Sequence, residues 1–242
     1  MGAPRPRVAA QVALQSLSLS EPTGPRFYGR RKGHDLTKAR QHLVTEMLPQ
    51  LRLDPTRAGD PRPLFNPSIR EIWLEIGFGA GEHLAHQAAT HPHVGFIGAE
   101  PYINGVASLV AEVAARGLAN VRIHDDDAAR LIRAFPTGSI DRLFILFPDP
   151  WPKARHNKRR FIGPMNMDEI ARILAPGAEF RFASDHAGYV RWALFHVLRD
   201  DRFSWTATSP ADWRTRWPDA VETRYEAKGL AGIPSYLTFV RR

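Results

Sequence analysis

The chain has 242 residues, 43% of them hydrophobic, and a formal net charge of +8. The length fits one large domain, or one domain with an extension, and the charge points to an acidic partner, nucleic acid before anionic membrane. With no cysteine present, disulfides, thiolate catalysis and Cys-ligated zinc or iron–sulfur clusters are excluded, and no apolar run approaches the length of a membrane span.

Residues 1–66 are rich in Pro, Arg and polar residues and read as a basic, partly flexible N-terminal arm with one helix near Thr37 to Leu48. Val8 to Leu19 loosely imitates a signal peptide. Gln11, Gln15 and the serines interrupt its apolar core, and no small-residue cleavage site follows, so a cytoplasmic arm is expected. Further on, Arg26-Phe27-Tyr28-Gly29-Arg30-Arg31-Lys32-Gly33 interleaves arginines with aromatics. That pattern suits phosphate contacts and base stacking, and equally a solvated tail.

From Ile69 strands alternate with helices, and residues 67–242 read as one domain. Strands are expected at Ile72 to Ile76, Val94 to Ala99, Val121 to His124, Ile140 to Phe147 and Phe180 to Ala183. Helices are expected at Asn104 to Arg116, stopped by Gly117, then Asp127 to Phe135, Met165 to Leu174 and His186 to Leu198. Phe203 to Thr206 and Tyr236 to Val240 read as a final hairpin-like pair. The alternation implies a mainly parallel sheet with helices on both faces.

After the first strand comes Glu75-Ile76-Gly77-Phe78-Gly79-Ala80-Gly81, opening a helix. The glycines permit a tight turn and close approach of a ligand to the backbone. A dinucleotide loop would need glycine where Glu82 stands, and a glutamate beside a pyrophosphate is repelled. The form present resembles the S-adenosylmethionine (SAM) loop of class I methyltransferases, whose ligand carries an ammonium and a sulfonium and no phosphate. Glu100 ends the second strand, where an acid can accept both ribose hydroxyls. Asp125, Asp126 and Asp127 follow the third strand, and the spacing leaves open which of them reaches a ligand.

The fourth strand runs into Phe147-Pro148-Asp149-Pro150-Trp151-Pro152 and then a block of cations: Lys153, Arg155, Lys158, Arg159 and Arg160. The prolines stiffen the exit and remove backbone donors. One carboxylate, Asp149, is held between two of them. A held carboxylate beside a polyanion-binding patch points to chemistry on a nucleic acid. The plainer alternative is a proline turn followed by a solvated loop.

Over about residues 26 to 241 the chain resembles bacterial tRNA (guanine-N7-)-methyltransferases. The resemblance rests on Glu75-Ile76-Gly77-Phe78-Gly79, on Phe147-Pro148-Asp149-Pro150-Trp151-Pro152-Lys153 with Arg155-His156-Asn157-Lys158-Arg159-Arg160 behind it, on Ser184-Asp185-His186, and on Thr223-Arg224-Tyr225-Glu226. The family pattern has histidine where Pro152 stands, a change that stiffens the loop and leaves Asp149 and Lys153 in register. The resemblance implies a Rossmann-like class I methyltransferase sheet, mainly parallel with an antiparallel final strand. It implies SAM as methyl donor, held by Glu75, Gly77, Gly79, Gly81, Glu100, Asp127 and Asp149, with Asp127 near the adenine. It implies that Lys153, Arg155, Asn157, Lys158, Arg159, Arg160, Asp185, Thr223, Arg224, Tyr225 and Glu226 face tRNA, and that the target is the guanosine at position 46 of the variable loop.

Asp149 is the candidate catalytic residue, in a positioning role, since guanine N7 needs no base to attack a methyl group. No metal and no membrane partner are expected, and the sequence leaves monomer or homodimer open. The ten histidines show no convincing metal-ligand spacing, and the pairs His83/His86 and His91/His93 read as helix or turn surface. The rival classes are a SAM enzyme with another substrate, an RNA-binding module without catalysis, and a nucleotide-dependent oxidoreductase, which Glu82 disfavours.

Overall fold

A computed structural model describes residues 29–57, 59–229 and 231–242. The signal-like stretch, and Arg26, Phe27 and Tyr28 of the basic aromatic run, lie outside the described residues.

The strands are β1 (Glu71–Ile76), β2 (Val94–Ala99), β3 (Val121–His124), β4 (Ile140–Leu146), β5 (Leu174–Ser184), β6 (Phe203–Trp205) and β7 (Ser235–Arg241). They form one sheet in the order β3-β2-β1-β4-β5-β7-β6. β1 to β5 pair in parallel, while β7 runs antiparallel to both β5 and β6. The hairpin-like pairing of the last two strands is therefore present, although a long excursion separates them in sequence.

The helices are α1 (Lys38–Leu51), α2 (Glu82–Thr90), α3 (Ile103–Arg116), α4 (Ala128–Ala134), α5 (Met167–Ile173), α6 (Ala187–Leu198), α7 (Ala211–Arg214) and α8 (Arg224–Lys228). Side chains alternate across a strand, and β1 shows the consequence. Ile72, Leu74 and Ile76 enter a core with Leu131, Ile170 and Phe182, whereas Trp73 enters a second core with Leu84, Phe96 and Val106. The central strands are buried on both faces, as expected of a parallel sheet.

Three local differences from the sequence reading have physical causes. Part of the arm packs against the sheet: Thr37 caps α1, Leu48 and Leu51 enter the second core, and Leu53 and Phe65 enter the first. The first core thus takes residues from both sides of residue 66, Phe65 and Ile69 among them. α5 is shorter than expected because the chain enters β5 directly at Leu174, which pairs with Ile140 before a register shift. α7 and α8 add to the expected helices, each being too short for helical periodicity to register.

The site is positioned by the strand order. It reverses between β1 and β4, and the crevice at such a switch point, outside the carboxyl ends of the strands, is where doubly wound folds bind ligands.

Candidate active site

A cavity of about 750 Å³ opens at this switch point, a size suited to a small-molecule ligand. One wall is the glycine loop. Gly77 has φ +74°, and a side chain there would meet nothing within 4 Å; it would project into open space at a position that lines the cavity. Gly79 has φ +57°, and a Cβ would sit 2.8 Å from the Tyr225 ring. Gly81 does not line the cavity: it caps α2 and packs on Leu109.

The acids divide between wall and support. Glu100 accepts from the backbone N–H groups of Gly79 and Tyr102, each at 2.9 Å. It thereby ties the glycine loop to the start of α3 while lining the cavity. Burial pushes its carboxyl up, against the lowering effect of those two hydrogen bonds. Two oxygens with about four lone-pair sites leave acceptor capacity for a ligand. Asp127 also lines the cavity and caps α4 through the Ala129 N–H at 2.9 Å. Its neighbours are turned away: Asp125 pairs with Arg52 at 2.7 Å and Asp126 with Arg31 at 2.8 Å. The structure thus separates three aspartates that the sequence could not.

Glu75 departs from expectation. It is 5% exposed, does not line the cavity, and pairs with His83 Nδ1 at 2.7 Å. His83 is itself only 1% exposed, which corrects its reading as helix surface. Glu75 supports the glycine loop from behind, through the helix that the loop opens.

Asp149 stands at the cavity mouth, exposed to solvent on one side and flanked by the cavity wall on the other. Desolvation by the surrounding protein pushes its carboxyl above the ordinary carboxylate range. The loop that carries it is strained. Phe147 and Trp151, neither of them glycine, have φ of 47° and 42°, and nothing in their side chains announces this in the sequence.

The cationic block forms a 3-10 turn over Ala154–Arg159. Lys153, Arg155 and Lys158 are exposed, and Lys158 and Arg159 also line the cavity. Asn157 borders a smaller adjoining cavity of about 150 Å³. Arg160 is only 7% exposed, yet it too lines both cavities.

The C-terminal candidates close another side. Asp185 lines the cavity and accepts from Ala231 N–H at 2.9 Å. Thr223 caps α8, Arg224 pairs with Glu82 at 3.1 Å, and Tyr225 packs on Gly79. Glu226 is buried, accepting from Arg216 Nε at 2.8 Å and from the Tyr236 hydroxyl. It anchors α8 to β7 and does not face the surface expected for RNA. Burial, with the Glu226 bond, pushes the Tyr236 hydroxyl up to about 12, so it remains a donor.

From the basic aromatic run, Gly29 and Arg30 line the cavity. Their segment crosses the start of α3, where the Asn104 side chain accepts from Gly33 N–H at 3.0 Å and donates to the His34 carbonyl at 2.7 Å. Among the described residues no group of His, Cys, Asp or Glu is arranged to hold a metal, and no helix is long and apolar enough to cross a membrane.

This combination of an acid-lined glycine loop and a cationic mouth has counterparts among known proteins. Residues 70–232 match a family described as "Putative methyltransferase". A protein of Rhodospirillum rubrum named tRNA (guanine-N(7)-)-methyltransferase is 52% identical over 224 residues, covering 90% of this chain and 88% of its own. The chain belongs to the tRNA (guanine-N7-)-methyltransferase family. A member from Roseobacter denitrificans is 48% identical, covering 92% of this chain and all of its own. In fold alone, the chain is similar to the 16S rRNA (adenine(1408)-N(1))-methyltransferase of Catenulisporales acidiphilia, with TM-score 0.51 at 16% identity, covering 78% of this chain and 94% of that one. In this member of the tRNA (guanine-N7-)-methyltransferase family, the cavity and a cationic rim lie side by side.

Proposed function

We propose that the chain transfers a methyl group from SAM to N7 of a guanosine in tRNA, at position 46 of the variable loop, acting in the cytoplasm. The observation that carries this reading is the shared cavity. The glycine loop, Glu100 and Asp127 line one part of it, Lys158 and Arg159 another, and Asp149 stands between them in sequence and at the mouth.

The residues fit the donor. Gly77 leaves room for close approach, and the nearby carboxylates suit a ligand with two cationic centres and no phosphate. Glu100 would accept from ribose hydroxyls, and Asp127 would lie toward the base. Once bound, SAM supplies an electrophilic methyl group on a sulfonium.

Guanine N7 has an in-plane lone pair and no hydrogen, so the site need not remove a proton. The protein's tasks are alignment and electrostatics. Asp149 or Asp185 would accept from guanine N1–H or N2–H, orient the ring, and favour the positive charge that the base gains. Lys153, Arg155, Lys158 and Arg159 would bind phosphates and hold the strand at the mouth.

Incubation with SAM and unmodified tRNA, followed by mapping of 7-methylguanosine, tests the proposal. A single modification at position 46 is expected. Methylation elsewhere in tRNA would overturn the positional assignment, and methylation of another RNA alone would overturn the substrate.

A further inference from the structure

Arg160 ends the cationic block and lines the cavity with Lys158 and Arg159, but it is the buried member of the run and its guanidinium is engaged by protein groups. It is 7% exposed. Its Nε donates to the Pro150 carbonyl at 2.8 Å and its Nη1 to the Gly188 carbonyl at 3.1 Å. The guanidinium lies 5.0 Å from the centre of the Tyr189 ring and 5.4 Å from that of Trp192. Both rings are fixed in turn. Tyr189 is fully buried and its hydroxyl accepts from Ile162 N–H at 3.3 Å, while Trp192 Nε1–H donates to the Ile162 carbonyl at 2.6 Å. A side chain held by two carbonyls and two aromatic faces is a built fixture, and a guanidinium is suited to it because its donors are planar and rigid.

What the fixture holds is the loop of Asp149. Pro150 follows Asp149 directly and precedes Trp151, whose φ of 42° is unfavourable for a bulky residue. Phe147 is strained on the other side, at 47°. Such conformations persist only where the surroundings over-determine them. Two hydrogen bonds brace the loop from either end: Phe147 N–H to the Ala183 carbonyl at 2.8 Å, and Arg160 to the Pro150 carbonyl. Proline has no N–H, so the carbonyl is the one backbone hydrogen-bonding group by which Pro150 can be held.

We propose that Arg160 is a positioning residue for methyl transfer, acting through the Pro150 carbonyl to hold Asp149 at the cavity, and that it makes no phosphate contact. This rests on the methyl-transfer reading above, and it assigns to one member of a basic run a role opposite to its neighbours'.

The test is a comparison of Arg160→Lys with Lys158→Ala in single-turnover methylation and in tRNA binding across a salt series. Lysine keeps the charge but cannot serve both carbonyls with a planar fork. Arg160→Lys should slow methyl transfer by up to about 100-fold, the cost of a misplacement near 1 Å, while the slope of log affinity against log salt stays unchanged. Lys158→Ala should flatten that slope by about 0.7–0.9. An unchanged rate in Arg160→Lys would overturn the proposal, and so would a flattened slope in Arg160→Ala. Phenylglyoxal labelling of the native protein gives a measurement independent of how the variants fold. Arg160 should resist modification with and without tRNA, and labelling of Arg160 in the free protein would overturn its role as a buried clamp. Wild-type protein that makes no 7-methylguanosine would instead remove the functional reading on which the proposal rests.

Discussion

Asp149 combines a raised carboxyl pKa with access to solvent at a cavity mouth. The direction of the shift sets a pH dependence. If the ionised form orients the guanine, methyl transfer falls as pH drops through the raised pKa. The acid limb of the single-turnover rate should then lie above the ordinary aspartate value of about 3.9. Asp149→Asn should slow the step by about 100- to 1000-fold, the cost of removing one preorganised electrostatic interaction, and should erase that limb. A melting temperature that falls while the rate holds would mean that Asp149 only shapes the turn. Glu100 makes a separate prediction. It supports two backbone N–H groups as well as facing the cavity, so Glu100→Ala should weaken SAM binding in calorimetry by about 1–3 kcal/mol. Unchanged affinity would remove Glu100 from the donor site.

At the scale of elements, the 3-10 turn over Ala154–Arg159 converts a run of like charges into two faces. Lys153, Arg155 and Lys158 reach solvent while Arg160 turns inward. Replacing the three exposed cations by alanine should weaken tRNA binding and flatten its salt dependence by about 0.7–0.9 for each phosphate no longer neutralised, leaving SAM affinity unchanged. A preserved slope would make the turn solvated surface. α8 is fastened differently, by Glu226 to β7 and by Arg224 to α2. Its position over Gly79 depends on the buried Glu226, so Glu226→Gln should raise amide exchange across residues 223–229 without lowering the protection of β7. Exchange unchanged from wild type would show that α8 holds its place without this anchor.

For the molecule as a whole, the sequence carried the sheet well because strand and helix differ in periodicity over long stretches. β2 and β3 fall where the apolar runs put them, and α3 ends at Gly117 as expected. Glu100 and Asp149 were legible at the site because each follows a strand that ends at the cavity, whereas strand position alone could not tell Asp127 from Asp125 and Asp126. Glu75, Arg160 and Glu226 were not legible, since burial depends on packing partners distant in sequence: His83 across a turn, Tyr189 and Trp192 on α6, Tyr236 on β7. The arm illustrates the same limit. Its composition reads as polar and loose, yet Leu48 is buried against the sheet, and Leu48→Ala should lower unfolding free energy by about 2–5 kcal/mol. A change near zero in denaturant titration would mean that α1 does not belong to the cooperative unit. The left-handed backbones of Phe147 and Trp151 bear on how this protein would respond to selection for heat resistance. Residues that tolerate such a conformation, glycine and asparagine, would relieve strain there, so the loop offers stabilising substitutions that loosen the grip on Asp149. Thermostable variants recovered without an activity screen should therefore accumulate changes at Trp151 and lose turnover as they gain melting temperature, whereas variants screened for both should keep a bulky residue there and gain their stability elsewhere.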